Sequence, residues 1–411
     1  MTHIAVLGAG ITGVTTAFQL RERGYDVTVF DRNRYAAMET SFANGGQLSA
    51  SNAEVWTNLS TVLKGLKWMV QSDAPLLVNP LPTWHKARWM AEFMSNIPNY
   101  RKHTVETVKL ALAARPLLLE MADRASVDFN LEKRGILHIY RDTGELAKGR
   151  KVSALLAEGG LEREEISGND VKHIEPTLSG DYAGGFFTKS DMTGDIHKFS
   201  SGLAGYLARA GVTFRYGVSV SKLRTVSEGV IVNGEQFDGV VVSAGVASRW
   251  MASALGDRVN VYPVKGYSIT VNLNDDASRA AAPQVSLLDE AAKIVTSRFG
   301  PDRFRIAGTA EFTGANRDIR AKRIKPLVKW VEQTFPDVST EDVEQWAGLR
   351  PMMPSMMPKI GAGNHPRVFY NTGHGHLGWT LSGATSALVA DAVSTALPAA
   401  KKHCGTMPMA A

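Results

Sequence analysis

The chain has 411 residues, of which 44% are hydrophobic and 21% are charged, and its formal net charge is +6. These proportions are typical of a globular protein and exclude a disordered or collagen-like chain. The single cysteine, Cys404, excludes an intrachain disulfide and a cysteine-based metal cluster. No grouping of histidine, aspartate and glutamate has the spacing of metal ligands, so we expect no metal.

The length suggests two or three domains. The most basic stretch, 317–329, alternates with Ile and Leu at helical spacing. This pattern indicates the solvent-facing side of a helix, so we expect no nucleic-acid partner. The sequence has no run of about 18 uncharged apolar residues, and its N-terminus lacks a secretion signal. We therefore expect a cytoplasmic protein.

A strand, a turn, a helix and a second strand fill the first thirty residues. The apolar run at 4–7 ends at the sequence Gly-Ala-Gly-Ile-Thr-Gly of residues 8–13. Apolar residues then recur at helical spacing over 14–23, and Gly24 ends the helix. The segment 26–30 returns as a strand with Asp31 at its end. A unit of this size is typical of a βαβ crossover.

Further helices and strands are predicted along the rest of the chain. Helical patterns cover 104–124, 145–158, 319–335 and 380–395. Strand-like segments occur at 237–242, 261–271, 293–299, 304–307 and 368–371.

Each glycine of the first loop has a physical role in dinucleotide binding. Gly8 permits the tight turn, Gly10 lets the backbone approach a pyrophosphate, and Gly13 allows the helix to pack closely on the strand. The free N–H groups at the start of the helix attract phosphate. Asp31 can accept both ribose hydroxyls. We therefore predict a dinucleotide site.

A second glycine pattern, Gly-His-Gly-His-Leu-Gly at 373–378, joins a strand to the last predicted helix. No strand ending in an acid follows, so it does not predict a second nucleotide site. Its helix N-terminus would face the pyrimidine edge of a flavin and stabilise the reduced ring. A plain packing turn is the alternative. Asp31 suits NAD or FAD, and the second pattern favours FAD because an NAD-linked dehydrogenase leaves it unexplained.

Five motifs give the chain a resemblance to a known enzyme family. They are Val-Leu-Gly-Ala-Gly-Ile-Thr-Gly at 6–13, Glu-Thr-Ser-Phe-Ala-Asn-Gly-Gly-Gln at 39–47, Lys-Gly-Tyr-Ser at 265–268, Gly-Leu-Arg-Pro-Met at 348–352, and Asn-Thr-Gly-His-Gly-His-Leu-Gly-Trp-Thr at 371–380. With them the chain resembles, nearly end to end, the bacterial FAD-dependent D-amino-acid dehydrogenases. These belong to the wider group of amino-acid, glycine and sarcosine oxidases.

The resemblance implies an α/β protein in which a Rossmann-type FAD-binding domain is interrupted by an α+β substrate domain with an antiparallel sheet. We expect the FAD-binding domain at 1–54, 150–252 and 345–411, and the substrate domain at 55–149 and 253–344. FAD is expected to be non-covalent, because the lone Cys404 lies in the C-terminal tail.

The resemblance also implies which residues hold FAD. The ADP half is assigned to Gly8, Ala9, Gly10, Ile11, Thr12, Gly13, Asp31 and Arg32. The pyrophosphate and flavin are assigned to Ser41, Gly45, Gly46 and Gln47, the adenine to Val220, and the closing contacts to Ala244 and Gly245. The isoalloxazine ring is assigned to Gly375, His376, Leu377, Gly378 and Thr380.

For the substrate, the resemblance implies that Arg350 grips the carboxylate. A planar guanidinium offers two parallel donors, which fix the orientation of a carboxylate. Tyr267 is a second candidate contact, with a core tyrosine as the alternative. His374 and His376 would tune the protonation of the amine or donate to flavin oxygens, unless one of them only caps the loop.

The implied reaction is the oxidative deamination of an amino acid, in the first place a D-amino acid. Hydride passes from Cα–H to flavin N5, and water hydrolyses the imino acid to a 2-oxo acid and ammonia. Positioning and electrostatics carry most of this chemistry. The electrons are expected to pass to a quinone or another acceptor, and both an oxidase and a dehydrogenase remain open.

The chain departs from the family pattern in two places. Met353, Ser355 and Met356 replace a Thr, an Asp and a Gly, and Asn52 stands where relatives often carry a tyrosine. Because methionine is adaptable apolar filler, we expect a reshaped pocket or approach. Two alternatives therefore stay open. One is an oxidase or dehydrogenase of a cyclic or N-substituted amino acid, such as a hydroxyproline isomer, and the other is a protein with a structural flavin and no turnover.

Two segments, 63–69 and 84–90, mix Trp, Leu, Met and Lys as a segment at a membrane interface does. Such a contact would place the protein peripherally on the inner face of the cell membrane, near a respiratory quinone. An ordinary amphipathic packing face is the alternative.

Overall fold

The computed structural model describes residues 1–59, 76–79, 81 and 83–399. The strands in these ranges are β1 His3–Leu7, β2 Asp26–Phe30, β3 Gln47–Leu48, β4 Leu76–Val78, β5 Ile136–Tyr140, β6 Glu164–Ser167, β7 Gly184–Thr188, β8 Met192–Thr193, β9 Thr213–Arg215, β10 Leu223–Val226, β11 Gly229–Val232, β12 Glu235–Phe237, β13 Gly239–Val242, β14 Tyr262–Asn272, β15 Ser286–Asp289, β16 Ile294–Phe299, β17 Arg303–Phe312, β18 Val343–Met352, β19 Lys359–Ala362 and β20 Val368–Thr372.

The α-helices in the same ranges are α1 Ile11–Glu22, α2 Trp84–Ser95, α3 Tyr100–Ala125, α4 Thr143–Glu158, α5 Gly168–Ile174, α6 Ile196–Arg209, α7 Ser248–Ala254, α8 Asp276–Ala281, α9 Ala321–Thr334 and α10 Gly378–Ala396. None of these helices is long and apolar enough to cross a membrane.

The smaller main sheet has six strands in the order β19-β20-β13-β1-β2-β9. Its pairs are parallel except β19–β20. Ile4 and Val6 pack into the core formed with α1, α3, α6 and α10, whereas Ala5 and Leu7 pack with β11 and α7 on the opposite face. Burial on both faces explains why β1 is a continuous apolar run and not an alternating one.

The larger sheet has nine strands, with the order β18-β14-β17-β16-β15-β5-β7-β6 and β4 beside β17. Most of its pairs are antiparallel, but β15–β5 and β17–β4 are parallel. One face packs on α9 through Ile324, Leu327, Trp330 and Val331. The fold class predicted from sequence is therefore confirmed.

The elements predicted from sequence are present with shifted ends. The first helix already begins at Ile11, inside the glycine motif, and the helix predicted at 104–124 begins at Tyr100. The domain boundaries stay a prediction. Two segments assigned to the FAD-binding domain, β6 and β7, pair within the larger sheet, so we propose to move that boundary toward the start of α6.

Candidate active site

A cavity of about 660 Å³ lies between the two main sheets. On one side it reaches the carboxyl ends of β1, β2 and β13, where ligands bind in open parallel sheets. On the other side it reaches β14 to β18. All the residues predicted to hold FAD or substrate line this cavity, except Ala9 and Gly13.

The glycines of the first loop differ in what surrounds them. Gly8 has φ +109°, and a β-carbon on Gly13 would stand 1.8 Å from the Gly8 carbonyl oxygen. A β-carbon on Gly10 would meet nothing closer than the Ser41 hydroxyl at 3.5 Å. Gly8 and Gly13 are therefore required by the turn itself, whereas the space in front of Gly10 is left for a ligand.

The N-terminus of α1 opens onto this space. Gly10 precedes the helix without a side-chain cap, and the Ser41 hydroxyl accepts the Ile11 N–H at 3.0 Å. An uncapped helix N-terminus carries free N–H groups and a partial positive charge. This part of the cavity therefore fits a pyrophosphate.

Asp31 also stabilises the glycine turn. Its Oδ2 accepts the Ala9 N–H at 2.7 Å, and its Oδ1 accepts the Asn33 N–H at 2.8 Å. The Asp31 carboxylate would therefore share its hydrogen-bond acceptor oxygens between these backbone N–H groups and a ribose. Arg32 forms an ion pair with Glu39 at 2.6 Å at the edge of the cavity.

The loop after β2 connects the two sheets. A β-carbon on Gly45 would stand 2.5 Å from the Val295 side chain, and the Gly45 carbonyl accepts the Ser297 hydroxyl at 2.6 Å. The Gln47 amide donates to the Leu287 carbonyl at 3.0 Å. This loop therefore holds β15 and β16 against the cavity.

The second glycine motif ends in another uncapped helix. Leu377 precedes α10, no side chain caps it, and its first turn contains no acidic residue. The Thr380 hydroxyl accepts the Ser49 N–H at 3.3 Å. The N-terminus of α10 thus presents positive potential to the cavity, which fits the pyrimidine edge of a flavin. The residues of both motifs fit FAD.

Arg350 is a partly buried cation at the β18 end of the cavity. Its Nη1 donates to the Thr309 carbonyl at 2.8 Å, and the guanidinium lies against Gly266. Within the described ranges, no carboxylate forms an ion pair with it. Partial burial lowers its pKa to about 10, so it stays charged at neutral pH. Because an unpaired cation in a partly desolvated site is costly, this arrangement favours an anionic ligand.

The two histidines of the second glycine motif are both neutral at pH 7. Burial lowers the pKa of His374 to about 3, and burial together with the Arg350 charge lowers the pKa of His376 to about 4. The His374 Nε2 shares a hydrogen bond with the Thr385 hydroxyl at 2.9 Å, which ties the motif to α10. His376 stacks on Trp56 with ring centroids 4.8 Å apart.

Tyr267 has a mainly structural environment. Its side chain packs in the core with α9, and its hydroxyl donates to Glu311 at 3.2 Å. Glu311 also pairs with Lys265 and Arg323, at 3.1 and 3.0 Å. Burial, followed by the Glu311 charge, raises the pKa of Tyr267. These contacts favour the core-tyrosine alternative.

The cavity has a second end that the sequence analysis missed. We call it the polar lobe and define it by Glu54, Tyr140, Arg163, Glu290 and Lys293, which all line the cavity. The five residues come from four segments, with Glu290 and Lys293 together in the turn between β15 and β16, and no local motif relates them.

The departures from the family pattern lie in two different places. Asn52 lines the cavity, whereas Met353 and Met356 do not. Met353 instead backs Gly373, whose β-carbon would stand 2.5 Å from it, and Met356 is buried in a separate cluster. Met353 therefore supports the second glycine motif from behind.

The predicted interfacial segments are described only in part. Residues 63–69, like Cys404, lie outside the described ranges. In the second segment Trp84 is 82% exposed, but Trp89 is buried and its indole N–H donates to the Met352 carbonyl at 2.9 Å. Trp89 therefore packs in the interior, as the amphipathic packing face predicts. Trp84 does not, because its side chain is exposed.

A parallel sheet with a glycine turn, joined to a second sheet across one cavity, defines a dinucleotide-binding flavoprotein. Comparison with known families agrees, because the model of the FAD dependent oxidoreductase (DAO) family matches residues 3–392. This chain belongs to that family, and its cofactor is FAD.

The chain is similar to several named proteins. It is 56% identical to "D-amino acid dehydrogenase 3" of Mesorhizobium japonicum, with 97% of this chain and 98% of the relative covered. It is 38% identical to the D-amino acid dehydrogenase of Dechloromonas aromatica, with 96% and 98% covered. The glycine oxidase of Geobacillus kaustophilus has a similar structure, with a TM-score of 0.73, 21% identity, and 96% and 95% covered. At this identity the structural likeness concerns the fold.

Proposed function

We propose that this protein is a dehydrogenase that deaminates a D-amino acid. The observation that carries the proposal is the partly buried Arg350 guanidinium, which faces the cavity shared with the FAD motifs and has one carbonyl partner at 2.8 Å. A substrate carboxylate would supply the negative charge that Arg350 lacks as a partner, and it would accept hydrogen bonds from two parallel N–H groups of the guanidinium. The names of the relatives at 56% and 38% identity support a D-amino acid as the substrate.

The residues of the chain bind and orient the substrate. Arg350 holds the carboxylate, and the neutral His376, close to it, adds no repulsion to an amine. The burial and positive charge that lower the pKa of His376 would also favour the neutral form of the substrate amine, which is the form that is oxidised. When bound, FAD supplies the acceptor for the hydride that leaves Cα. Water then converts the imino acid to a 2-oxo acid and ammonia.

We also propose that the electrons leave to a quinone at a membrane surface. The support is three exposed apolar side chains, Leu59, Leu81 and Trp84, with exposures of 58%, 68% and 82%. Leu81 and Trp84 lie around the start of α2 in the chain. Exposed Trp and Leu suit the interface of a lipid bilayer. Cosedimentation with anionic vesicles at low salt tests this contact. Trp84→Ser should weaken it and the matched change Trp250→Ser, at a separate exposed tryptophan, should not; equal binding of both variants would remove the proposal.

The experiment that tests the reaction is steady-state turnover with a soluble quinone analogue, using D-, L-, cyclic and N-methyl amino acids. We expect equal amounts of ammonia and 2-oxo acid from D-amino acids and little oxygen consumption. A cyclic or N-methyl substrate that is oxidised without release of ammonia would favour the alternative class. Flavin that no compound reduces would favour a structural cofactor, which the retained Arg350 argues against.

A further inference from the structure

The polar lobe contains four charged side chains and the Tyr140 hydroxyl at one end of the cavity. It is continuous with the part lined by Arg350 and the FAD motifs. Charged groups are rarely retained in a buried pocket without partners, because desolvation is costly. The hydrogen-bond and ion-pair partners of each lobe residue therefore show which donors and acceptors a ligand would have to supply.

Glu290 and Lys293, one half of the polar lobe, already have ion-pair and hydrogen-bond partners within the protein. Glu290 pairs with Lys293 at 2.6 Å and with the His138 Nδ1 at 3.2 Å. The other ring nitrogen of His138 bonds the Ser51 hydroxyl at 2.9 Å. Burial alone would raise the pKa of Glu290, but Lys293 and His138 hold it well below its usual range. This half is a stable ion pair.

The other half has unused hydrogen-bonding capacity. The Glu54 Oε1 accepts the Tyr100 hydroxyl at 2.6 Å, while its Oε2 has no hydrogen bond among the described residues. The Arg163 guanidinium lies 4.8 Å from the Phe186 ring centroid, and its Nε and Nη2 are buried without an acceptor in the same part of the chain. The lobe thus offers an acceptor and donors.

Apolar residues also line the cavity that Arg350 and the lobe share. They include Leu288, Val295, Ala307 and Ala310 of the larger sheet, and Trp56. A ligand held at Arg350 by its carboxylate would therefore lie in a cavity that also offers it apolar surface.

We propose that the polar lobe receives the side chain of the substrate, and that the preferred substrates carry an uncharged hydrogen-bonding group there, a hydroxyl or a carboxamide. This inference rests on the proposed function. Such a group donates to Glu54 and accepts from Arg163. An anionic group would meet Glu54 and Glu290, a cationic one would meet Arg163 and Lys293, and an aliphatic one would leave both unpaired.

Isosteric amino acids test this inference. D-Leucine, D-asparagine and D-aspartate have side chains of the same shape, as do D-homoleucine, D-glutamine and D-glutamate, and D-valine and D-threonine. We expect kcat/KM to be about tenfold or more higher for the uncharged polar member of each set. Equal or higher values for the aliphatic members of every set would overturn the inference and leave the proposed function intact. No flavin reduction by any D-amino acid would overturn both.

Substitutions in the polar lobe then test whether the lobe is the source of the preference for uncharged polar side chains. In Glu54→Gln and Arg163→Met, the ratio of kcat/KM between D-glutamine and D-homoleucine should fall toward one. Arg150→Met is the matched control, because Arg150 is exposed, pairs with Glu165 at 2.6 Å and lies outside the cavity lining. It should keep the wild-type ratio. If Arg163→Met does not fold, the near-isosteric Glu54→Gln still decides, and an unchanged ratio in it would contradict the inference.

Discussion

The guanidinium of Arg350 lies so close to the backbone of Gly266 that a β-carbon on this glycine would stand 2.2 Å from its Nη1 atom. The two residues are on the paired strands β18 and β14, where Gly266 is opposite Gly348. The absence of a side chain at 266 therefore creates the place in which the Arg350 guanidinium lies. If Arg350 binds the substrate carboxylate as proposed, the lysine-glycine-tyrosine motif has a role in the substrate site.

Gly266→Ala should displace the Arg350 guanidinium without removing it. We expect a rise in KM of about tenfold or more, because misplacing a charged donor loses much of its hydrogen-bond energy. FAD content should stay close to that of the wild type. The control is Gly205→Ala on α6, where a β-carbon has only the Arg209 guanidinium as a neighbour, at 3.7 Å. Identical KM values for the two variants would contradict this account.

Arg350→Met should reduce kcat/KM roughly 30- to 4,000-fold, because removal of one partner of a buried charge pair costs about 2–5 kcal/mol. Arg350→Lys should recover only part of this loss, since an ammonium cannot bind a carboxylate through two parallel N–H groups. Stopped-flow flavin reduction at increasing substrate concentration measures both. Arg367→Met, in the turn before β20 and outside the cavity lining, serves as the control.

Substitutions at two glycines of the first loop should distinguish an effect on folding from an effect on FAD binding. Gly13→Ala places a β-carbon 1.8 Å from the Gly8 carbonyl, so we expect about 1–3 kcal/mol of destabilisation together with loss of FAD. Gly10→Ala meets no protein atom closer than 3.5 Å, so it should fold and bind FAD more weakly. Melting of the apoproteins and FAD titration measure the two effects. A stable Gly13→Ala variant with full FAD would refute the roles assigned to these glycines.

Stability should fall in mild acid because of the buried histidines. His374 and His376 are neutral in the folded protein, with pKa values lowered to about 3 and about 4, whereas the unfolded chain takes up their protons below about pH 6.5. The unfolded state then binds more protons, so stability declines as the pH is lowered from about 6.5 toward about 4.

Urea unfolding at several pH values measures this decline, to which each histidine contributes up to about 1.4 kcal/mol per pH unit. His374→Asn should make the decline shallower, and His173→Asn, at an exposed site, should not. The same slope in both variants would show that His374 does not titrate on unfolding.

The sequence predicted the FAD side of the molecule well because its signals are local. Three elements follow one another in the chain: the turn at Gly8, the helix that begins beside Gly10 and the strand before Asp31. A single residue signals each of them. The interaction of Asp31 with the Ala9 N–H was not predicted, since the same carboxylate suits a ribose equally well.

The substrate side was predicted less completely because its residues are distant in sequence. Arg350 was found through the family motif, but nothing near it in the chain indicates Gly266 as its neighbour. No sequence pattern singles out Glu54, Arg163 and Glu290, which the larger sheet and the loop after β3 bring to one cavity. Burial of such groups depends on tertiary pairing, which no local pattern encodes.

The most direct test of the central claim is the visible absorbance of the FAD-loaded protein, followed anaerobically as D- and L-enantiomers of the same amino acids are added. We expect D-enantiomers to bleach the flavin bands, and we expect Arg350→Met to slow this bleaching by the factor given above. Bleaching by L-enantiomers alone, or bleaching that does not depend on Arg350, would contradict it.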